Sequence, residues 1–521
     1  MIGSLAHLSR NLRAGFILAR EGALSLVDAS ALPPGARIVL AAARLVERPG
    51  LAGGAARLST ALTRLGPSYV KFGQFLATRP DIVGVEVARD LESLQDRMPS
   101  FPQEEAVATI EAAFGRPVDS LFASLSAPVA AASIAQVHRA VRLSDGQEVA
   151  VKVVRPGVRE RFARDIQGMR FAARAAERFL PEARRLRPQV IVETLARSVA
   201  VEIDLRLEAA ALSELAENTA EDPGFRVPRP DWDLTARDVM TTEWIEALPL
   251  HRLDAIDAAG HDRAGLARTV IQSFLRQAIR DGFFHADMHP GNLMVDAEGR
   301  LVAVDTGIMG RLGIKERRFL AEILLGFIRR DYRRVAQVHF DAGYVPAHHS
   351  VEDFAQAIRA IGEPIHNRRA SEISMARLLT LLFEITSLFD MATRSELVML
   401  QKTMVVVEGV ARGLDPNLDI WATSEPVVRD WIERNLGPLG RAEEAGRGLL
   451  TLARVVADLP EIAQRAERLL LKLEQAADRG LSVESGNVSA IVRNPTRALR
   501  WIAVALWLIV IVLLAGTGLG S

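Results

Sequence analysis

The amino-acid sequence predicts a mostly helical α+β fold in which a small sheet precedes a larger helical lobe. Ala-, Leu-, Arg- and Glu-rich stretches dominate the 521 residues, and such residues favour helices. Two short β-type runs, VHRAVRL and EVAVKVV, are separated by a Ser-Asp-Gly turn and indicate a hairpin. A second strand pair is predicted at about 226–244, and helices return from about residue 251. This order is typical of a protein-kinase-like two-lobed fold.

Prolines, turn residues and changes of periodicity divide the chain into five predicted segments. They are an N-terminal helical extension at 1–125, a sheet-containing N-lobe at 126–250, a helical C-lobe at 251–440, a helical linker region at 441–498 and an apolar segment at 499–519. No sequence period of about 20 to 50 residues is present, which excludes a solenoid.

The composition limits the possible partners and chemistry. Lys plus Arg and Asp plus Glu both number 64, so the formal net charge is zero. No overall field attracts nucleic acid, and we expect no nucleic-acid partner. The chain contains no Cys, which excludes disulfides, thiolate metal sites and Cys nucleophiles and suits a reducing compartment.

The C-terminal segment from Trp501 to Leu519 contains 19 residues without a charge. As a helix it would extend about 28 Å, close to the thickness of a bilayer core. Arg493, Arg497 and Arg500 precede it, so the positive-inside rule predicts a single-pass span of the inner membrane with the main body in the cytoplasm. A buried core helix and a re-entrant hairpin are the alternatives, the second because three glycines lie at its end.

The segment HADMHPGN, from His285 to Asn292, carries the strongest chemical signal in the chain. Its Pro-Gly turn lets Asp287 and Asn292 converge on one phosphate–metal centre, as transfer of a γ-phosphoryl group requires. Asp287 would orient or deprotonate the attacking group, and Asn292 and Asp305, which follows in VAVDTG, would hold Mg²⁺. A transition-metal site is the alternative, but the two His lie on a Pro-Gly loop without a zincin-type Glu.

Lys152 lies among alternating Val and Ala in EVAVKVV, where a strand would carry its ammonium group to one face. An isolated lysine of this kind would be interpreted as an exposed strand residue. Its spacing from the other motifs favours contact with phosphates instead.

Together these motifs resemble the UbiB/ADCK (aarF-type) family of atypical kinases, and in particular its bacterial ubiquinone-biosynthesis branch. Lys71 to Gln74 (KFGQ) matches the family's KxGQ motif, and Glu202-Ile203-Asp204 matches its ExD motif. AAASIAQVH matches the alanine-rich loop that replaces the glycine-rich loop of ordinary kinases. The later segment LQKTMVVVEGVARGLDPNLDIW, at 400–421, resembles the ubiquinone branch.

The resemblance implies a role for each matching residue. Lys71 would contact Glu202 or Asp204 over the active site, and Glu208 would pair with Lys152. The backbone at Glu243 and Trp244 would hold adenine, although Trp244 is equally compatible with a core strand. The residues of the alanine-rich loop, which would contact ATP or ADP, are Ala130, Ala131, Ala132, Ser133, Ile134, Ala135, Gln136, Val137 and His138.

Three departures modify these expectations. Asp305-Thr306-Gly307 stands where kinases have Asp-Phe-Gly, which keeps the metal ligand but removes the packing phenylalanine. Leu207 replaces the family's arginine before Glu208. The chain passes from TGIMGRLG directly into a predicted helix, which leaves no room for the activation segment that presents peptide substrates and argues against protein-kinase activity.

The resemblance implies an Mg-ATP-dependent ATPase or phosphotransferase that supports ubiquinone biosynthesis. Its expected partners are the bilayer, polyprenylated phenolic lipids and other ubiquinone-biosynthesis enzymes. A small-molecule kinase of the aminoglycoside or choline type is an alternative, because such kinases share the HxDxHPGN-like loop. A non-catalytic ATP-binding scaffold for lipid-modifying enzymes is another.

Overall fold

The structure is a computed structural model that describes residues 13–23, 45–48, 56–77, 85–92, 99–179, 187–366, 388–391 and 395–436, with a few single residues between them. The predicted linker region at 441–498 and the predicted membrane anchor at 499–519 lie outside the described residues. None of the described helices is both long enough and apolar enough to cross a membrane.

Four helices with described bounds lie between residue 56 and the first sheet, and glycine and proline fix several of their ends. They are α1 (Ala56–Leu65), α2 (Pro67–Ala77), α3 (Val85–Glu92) and α4 (Gln103–Phe114). Gly66 has a φ of 104°, which ends α1, and Pro67 begins α2, where its missing N–H is not needed. Gly115 adopts the left-handed conformation, and its N–H donates to the Glu111 backbone oxygen over 2.8 Å to close α4.

The first sheet has five strands in the order β1-β2-β3-β6-β5. The strands are β1 (Phe122–Ala131), β2 (Ala135–Arg142), β3 (Glu148–Val154), β5 (Pro230–Asp231) and β6 (Val239–Glu243). The predicted hairpin forms between β2 and β3, and β1 starts before the predicted boundary at residue 126. Register shifts interrupt the pairing of β1 with β2, which explains why β1 shows no regular alternation in the sequence.

Among the described residues between β3 and the next strand, three helices correspond to the predicted helical region at about 159–217. They are α5 (Val158–Phe179), α6 (Pro188–Glu202) and α7 (Leu205–Asn218). The break between α6 and α7 comes at Asp204, whose side chain caps α7 by accepting the Arg206 backbone N–H over 3.2 Å. The helix cap therefore places Glu208 in the first turn of α7.

The first sheet packs on different helices through its two faces. Val149, Val151 and Val153 belong to a buried cluster that also contains Phe101, just before α4, and Ile110, within α4. On the other face, Ala135, Val154 and Met240 join a core formed with α1–α3 and α5–α7. Because strand residues alternate between faces, Lys152 lies on this second side of the sheet.

The remaining strands are short and support the loops of the helical lobe. A four-stranded sheet has the order β4-β10-β9-β7, and β11 pairs with β8. These strands are β4 (Phe225–Arg226), β7 (Ala247–Pro249), β8 (Phe283–His285), β9 (Leu293–Asp296), β10 (Leu301–Ala303) and β11 (Met309–Arg311). The predicted second strand pair is therefore divided, because β4 joins β10 while β5 and β6 extend the first sheet.

The helical lobe completes a kinase-like fold, as the sequence predicts. Its helices are α8 (Leu253–Ala258), α9 (Arg263–Leu275), α10 (Ile314–Ile328), α11 (Tyr332–Asp341), α12 (Val351–His366), α13 (Ser395–Leu414) and α14 (Ile420–Leu436). A π-helical turn, Arg276–Asp281, continues α9 towards β8. The core of this lobe joins α9, α10, α13 and α14 to the buried strand residues Phe284, Leu293 and Leu301.

Candidate active site

Three residues that lie far apart in the sequence meet between the lobes. Lys152 projects from β3, Glu208 from the first turn of α7, and Asp305 from the loop after β10. The Lys152 Nζ lies 2.5 Å from Glu208 Oε1 and 3.6 Å from Asp305 Oδ2. Glu208 is buried, whereas 46% of the Asp305 side chain is exposed. The Lys152 ammonium therefore pairs with the buried Glu208 carboxylate on one side. On the other side it faces the partly exposed Asp305 carboxylate, where the cleft opens.

Burial and charge act against each other in this group. Burial opposes the charge on Lys152, but Asp305 and Glu208 outweigh it and raise the pKa of the ammonium. The Lys152 charge lowers the pKa of Asp305 to about 2 against the effect of burial, and the Gly307 N–H helps by donating to Oδ1 over 2.9 Å. Burial raises the pKa of Glu208 to about 7, with Lys152 opposing it. At neutral pH the site therefore holds a cationic lysine and an ionised, accessible aspartate.

Asp287 and Asn292 converge as their spacing predicts. The Asn292 Nδ2 donates to the Asp287 backbone oxygen over 3.1 Å and approaches its Oδ2 at 3.4 Å. The amide oxygen of Asn292, on the other side of the same group, is therefore left as an acceptor. His289 closes the turn, because its Nδ1 accepts the Gly291 N–H over 2.9 Å.

This loop is attached to the segment that carries Asp305 at two points. The Val304 N–H donates to the Asn292 backbone oxygen over 3.1 Å, and the Ala286 N–H donates to the Ile308 oxygen over 3.0 Å. Asp305 lies between these two bonds. The backbone therefore holds the three candidate acidic and amide residues in one region.

Two buried side chains form hydrogen bonds to the backbone of the loop at 285–292. His285 is fully buried, and its Nδ1 accepts the Asp287 backbone N–H over 3.1 Å. Burial lowers the pKa of His285, which keeps the imidazole neutral and able to accept. Thr403 of α13 donates from its hydroxyl to the Ala286 oxygen over 2.9 Å. No local pattern predicts this bond, because the two residues are distant along the chain.

Lys71 forms an ion pair with Glu202, the first acid of the ExD motif. Lys71 lies on α2 and Glu202 ends α6, and both side chains are largely buried. The charge of Glu202 acts on Lys152 and the charge of Lys71 acts on Asp305, so this pair lies within electrostatic reach of the cleft. The N-terminal helices thus supply charged groups to the same region as the kinase-like lobes.

Asp204 does not join this pair. Its carboxylate caps α7 and contacts the Arg206 guanidinium at 2.7 Å, with Arg237 at 4.0 Å. Of the two acids expected to contact Lys71, the structure therefore pairs Glu202 with it, whereas Asp204 caps α7, and the catalytic role of Asp204 stays a prediction. The Arg206 hydrogen bond lowers the pKa of this carboxyl.

The alanine-rich loop is divided by strand alternation. Val137 pairs with Lys152 across β2 and β3 and shares its face, whereas Gln136 and His138 point to the opposite side. Gln136 accepts the Phe101 N–H over 3.0 Å, and His138 Nδ1 lies 2.8 Å from the Ser126 oxygen. Both side chains are therefore buried against the α4 side of the sheet, away from Lys152, and nucleotide contact by these two residues stays a prediction.

The turn of this loop comprises residues 132–134, between β1 and β2. The Ala132 N–H donates to the Ala135 oxygen over 2.8 Å, and the Arg155 guanidinium donates to the Ala132 oxygen over 3.2 Å. Ser133 is fully buried, and its hydroxyl has no hydrogen-bond partner among the residues described. Ala130 and Ala131 end the strand before this turn, Ile134 belongs to the turn, and Ala135 begins the strand after it.

The predicted adenine-binding strand is already bonded through its N–H groups. The Glu243 N–H donates to the Arg229 oxygen over 2.9 Å, and the Trp244 N–H donates to the Glu148 oxygen over 3.2 Å. The Arg139 guanidinium covers the Trp244 ring at 4.9 Å. Neither N–H is therefore available as a donor to adenine, and Trp244 is half-buried.

The donor set suits a hard divalent cation and the phosphates it accompanies. The Asp305 carboxylate and the Asn292 amide oxygen are oxygen ligands of the type that Mg²⁺ prefers. The Lys152 ammonium, fixed by Glu208, supplies the positive charge that phosphate oxygens need. Asp305 and Lys152 could hold a metal–nucleotide complex in the charge states that they have at neutral pH.

Comparison with known proteins identifies the family. Residues 93–339 match the ABC1 atypical kinase-like domain, and residues 358–419 match the UbiB helical domain. The chain is similar to the "Probable protein kinase UbiB" of Marinobacter nauticus, with 39% identity over 469 residues that cover 89% of this chain and 85% of the relative. The protein of the same name from Pseudomonas paraeruginosa is 40% identical over 425 residues, covering 81% of this chain and 78% of its own.

Among solved structures, a Mycobacterium tuberculosis protein in complex with erythromycin aligns with a TM-score of 0.49 and 26% identity, covering 72% of this chain and 95% of its own. The family rests on the matches of sequence, which extend through both the kinase-like and the helical regions. The chain therefore belongs to the UbiB family of atypical kinases.

Proposed function

We propose that this protein is a membrane-anchored ATPase or phosphotransferase that binds Mg-ATP and supports ubiquinone biosynthesis. The position of Lys152 carries the proposal, because its ammonium group contacts both buried Glu208 and accessible Asp305. A lysine that only stabilised the fold would not need a second, half-exposed carboxylate beside it. Membership of the UbiB family supports the link to ubiquinone.

Each cleft residue has a part in this proposal. Lys152 binds the phosphates, and Asp305 and Asn292 hold Mg²⁺, which when bound neutralises charge on the transferring phosphoryl group. Asp287 orients the attacking oxygen and accepts its proton. Glu208 keeps Lys152 in place, and the Lys71–Glu202 pair closes the cleft from the side of α2.

The length of the segment after Asp305 favours an acceptor other than a peptide. Only residues 306–313 separate Asp305 from α10, and they include β11. This leaves no extended surface on which a protein substrate could be presented. Water or a small lipid-linked phenol is therefore the proposed acceptor, and the purpose is to assist hydroxylation or handling of polyprenylphenol precursors.

The proposal also includes a location. The uncharged run from Trp501 to Leu519 would anchor the chain in the inner membrane, with the kinase-like lobes in the cytoplasm. An anchor in the same chain would keep the cleft close to precursors that do not leave the bilayer, and to the enzymes that modify them.

The test is Mg²⁺-dependent ATP hydrolysis by the purified full chain in liposomes, with and without a phenolic precursor analogue. Asp305→Asn removes the proposed metal ligand, and Asp262→Asn, an exposed carboxylate before α9, is the matched control. We expect hydrolysis that lipid or phenol stimulates, that Asp305→Asn lowers about 100-fold or more, and that Asp262→Asn leaves unchanged. Nucleotide binding without turnover under every condition would contradict the proposal and favour a scaffold.

A further inference from the structure

Three side chains that commonly bind metal ions lie together in the helical lobe, outside the active site. His348 and His349 belong to the loop between α11 and α12, and Asp390 belongs to the segment 388–391 that precedes α13. Each offers one ligand atom, and these atoms all lie within 4.8 Å of one another. The proposed function uses none of the three.

Their separations are close to those that a bound metal ion would impose. The Asp390 Oδ2 lies 3.2 Å from His349 Nε2 and 3.6 Å from His348 Nε2. The two imidazole rings have centroids 4.2 Å apart. Ligand atoms at about 2.0–2.1 Å from a tetrahedral zinc ion are themselves roughly 3.3 Å apart. Two of the three separations already lie near this value and all three ligand atoms lie within 4.8 Å of one another, so an adjustment of side chains would bring them onto one ion.

The core beneath the cluster holds two of these ligands in position. Phe389, next to Asp390, is buried and packs against the His349 ring at 5.2 Å and the Phe354 ring at 4.9 Å. Only 20% of the His349 side chain is exposed. Asp390 follows the buried Phe389 in the chain, and His349 packs on the ring of Phe389. Both ligands are therefore already positioned before a metal ion binds.

We propose that His348, His349 and Asp390 form a binding site for a divalent transition metal, with Zn²⁺ as the expected ion. Two imidazoles and one carboxylate are ligands that suit zinc, whereas Mg²⁺ prefers oxygen ligands alone. His348 and Asp390 remain about two-thirds exposed, which leaves a fourth position for water. The site is separate from the proposed Mg-ATP site and uses different ligand chemistry.

Metal binding here would connect two parts of the lobe that are distant in sequence. His349 and Asp390 are 41 residues apart, and the second precedes α13. Thr403 of α13 donates to Ala286 in the catalytic loop, so Asp390 precedes a helix that contacts the active site. An ion that binds only the folded state raises its stability.

The experiment uses the full chain in detergent micelles, without a polyhistidine tag, after removal of metals and nucleotide. Zn²⁺ is titrated in competition with a chromophoric chelator. We expect one Zn²⁺ per chain at this site, a higher melting temperature with Zn²⁺, and an affinity at least about tenfold weaker in His349→Ala and in Asp390→Asn. Exposed His251, outside the cluster, provides the control variant His251→Asn, which should bind as the unmodified chain does.

Two further measurements guard against misinterpretation. His348→Gln changes an exposed side chain and should weaken binding even if His349→Ala fails to fold. Co²⁺ in place of Zn²⁺ should give the visible absorption of a four-coordinate site, and Asp305→Asn should not change it. Absence of zinc uptake by the unmodified chain, affinity unchanged in all three cluster variants, or loss of the site in Asp305→Asn would each overturn the proposal.

Discussion

The Thr306 hydroxyl lies 3.4 Å from the Glu208 backbone oxygen, to which it donates. Thr306 is buried and occupies the position where ordinary kinases carry the phenylalanine of Asp-Phe-Gly. The loop that carries Asp305 is thus joined to α7 by a hydrogen bond instead of by an aromatic ring. The same helix holds Glu208, which pairs with Lys152, so this bond connects the two acidic partners of the lysine.

We predict that Thr306→Val lowers the free energy of unfolding by about 1 kcal/mol, because the backbone oxygen of Glu208 loses the donor that it has in addition to its intrahelical one, while the volume is nearly kept. Denaturant titration checks this. Thr109→Val removes a hydroxyl bond on the exposed surface of α4 and should change stability by less than about 0.5 kcal/mol. Equal losses in the two variants would show that the bond to Glu208 contributes nothing specific.

Lys71→Met should destabilise the protein by about 3 kcal/mol, because it leaves the largely buried Glu202 carboxylate without this cation. The double variant Lys71→Met with Glu202→Gln should lose clearly less than the sum of the two single changes. Chemical denaturation of all four proteins measures this coupling. Strictly additive losses would indicate that the two charges do not interact in solution.

The raised pKa of Glu208 predicts that nucleotide binding depends on pH. Its carboxyl has a pKa of about 7, so it is ionised above that pH and protonated below it. Protonation removes the negative partner that holds Lys152, and we expect Mg-ATP affinity to fall as pH decreases from 8 to 6. Glu208→Gln should bind weakly at both pH values and lack this dependence. Parallel pH profiles in the two proteins would contradict the assignment.

The raised pKa of Glu208 affects stability in the opposite direction: this group stabilises the fold more at low pH than at high pH. The folded-state pKa is raised above the ordinary value of 4.5, so the folded protein binds a proton more readily than the unfolded chain. The contribution of this group to the free energy of unfolding is fully present below pH 4.5 and is lost as pH rises through about 7. Unfolding measured across this window, with Glu208→Gln as the reference, tests the direction.

Gly73, inside the KxGQ motif, allows α2 to pack closely on its neighbours. A Cβ at this position would overlap Leu94 and lie 2.7 Å from Leu62 Cδ1, so Gly73→Ala should cost about 1–3 kcal/mol. Gly409→Ala in α13 is the matched helix control, because nothing lies within 4 Å of its added Cβ. It should be neutral or stabilise the protein by up to about 1 kcal/mol. Thermal unfolding that shows the same sign for both variants would contradict this packing argument.

The family and the kinase-like order of elements could be predicted from the sequence, together with the convergence of Asp287 and Asn292. Local signals were sufficient there, because the Pro-Gly turn draws Asp287 and Asn292 together and the alternation of β3 fixes the face of Lys152. The direction in which each side chain of a continuous motif points could not be predicted in the same way. Alternation sends Gln136 and His138 to the far side of the sheet, and the helix break gives Asp204 a cap instead of a place beside Lys71.

Contacts between distant segments were decided only by the tertiary structure. The bonds of Thr306 to Glu208 and of Thr403 to Ala286 each join parts of the chain about 100 residues apart, and no local pattern encodes such a partner. The same is true of the cluster formed by His348, His349 and Asp390. Its ligands meet because the packing of Phe389 on His349 and Phe354 brings one segment onto another, and that packing depends on shape and burial that a linear sequence does not display.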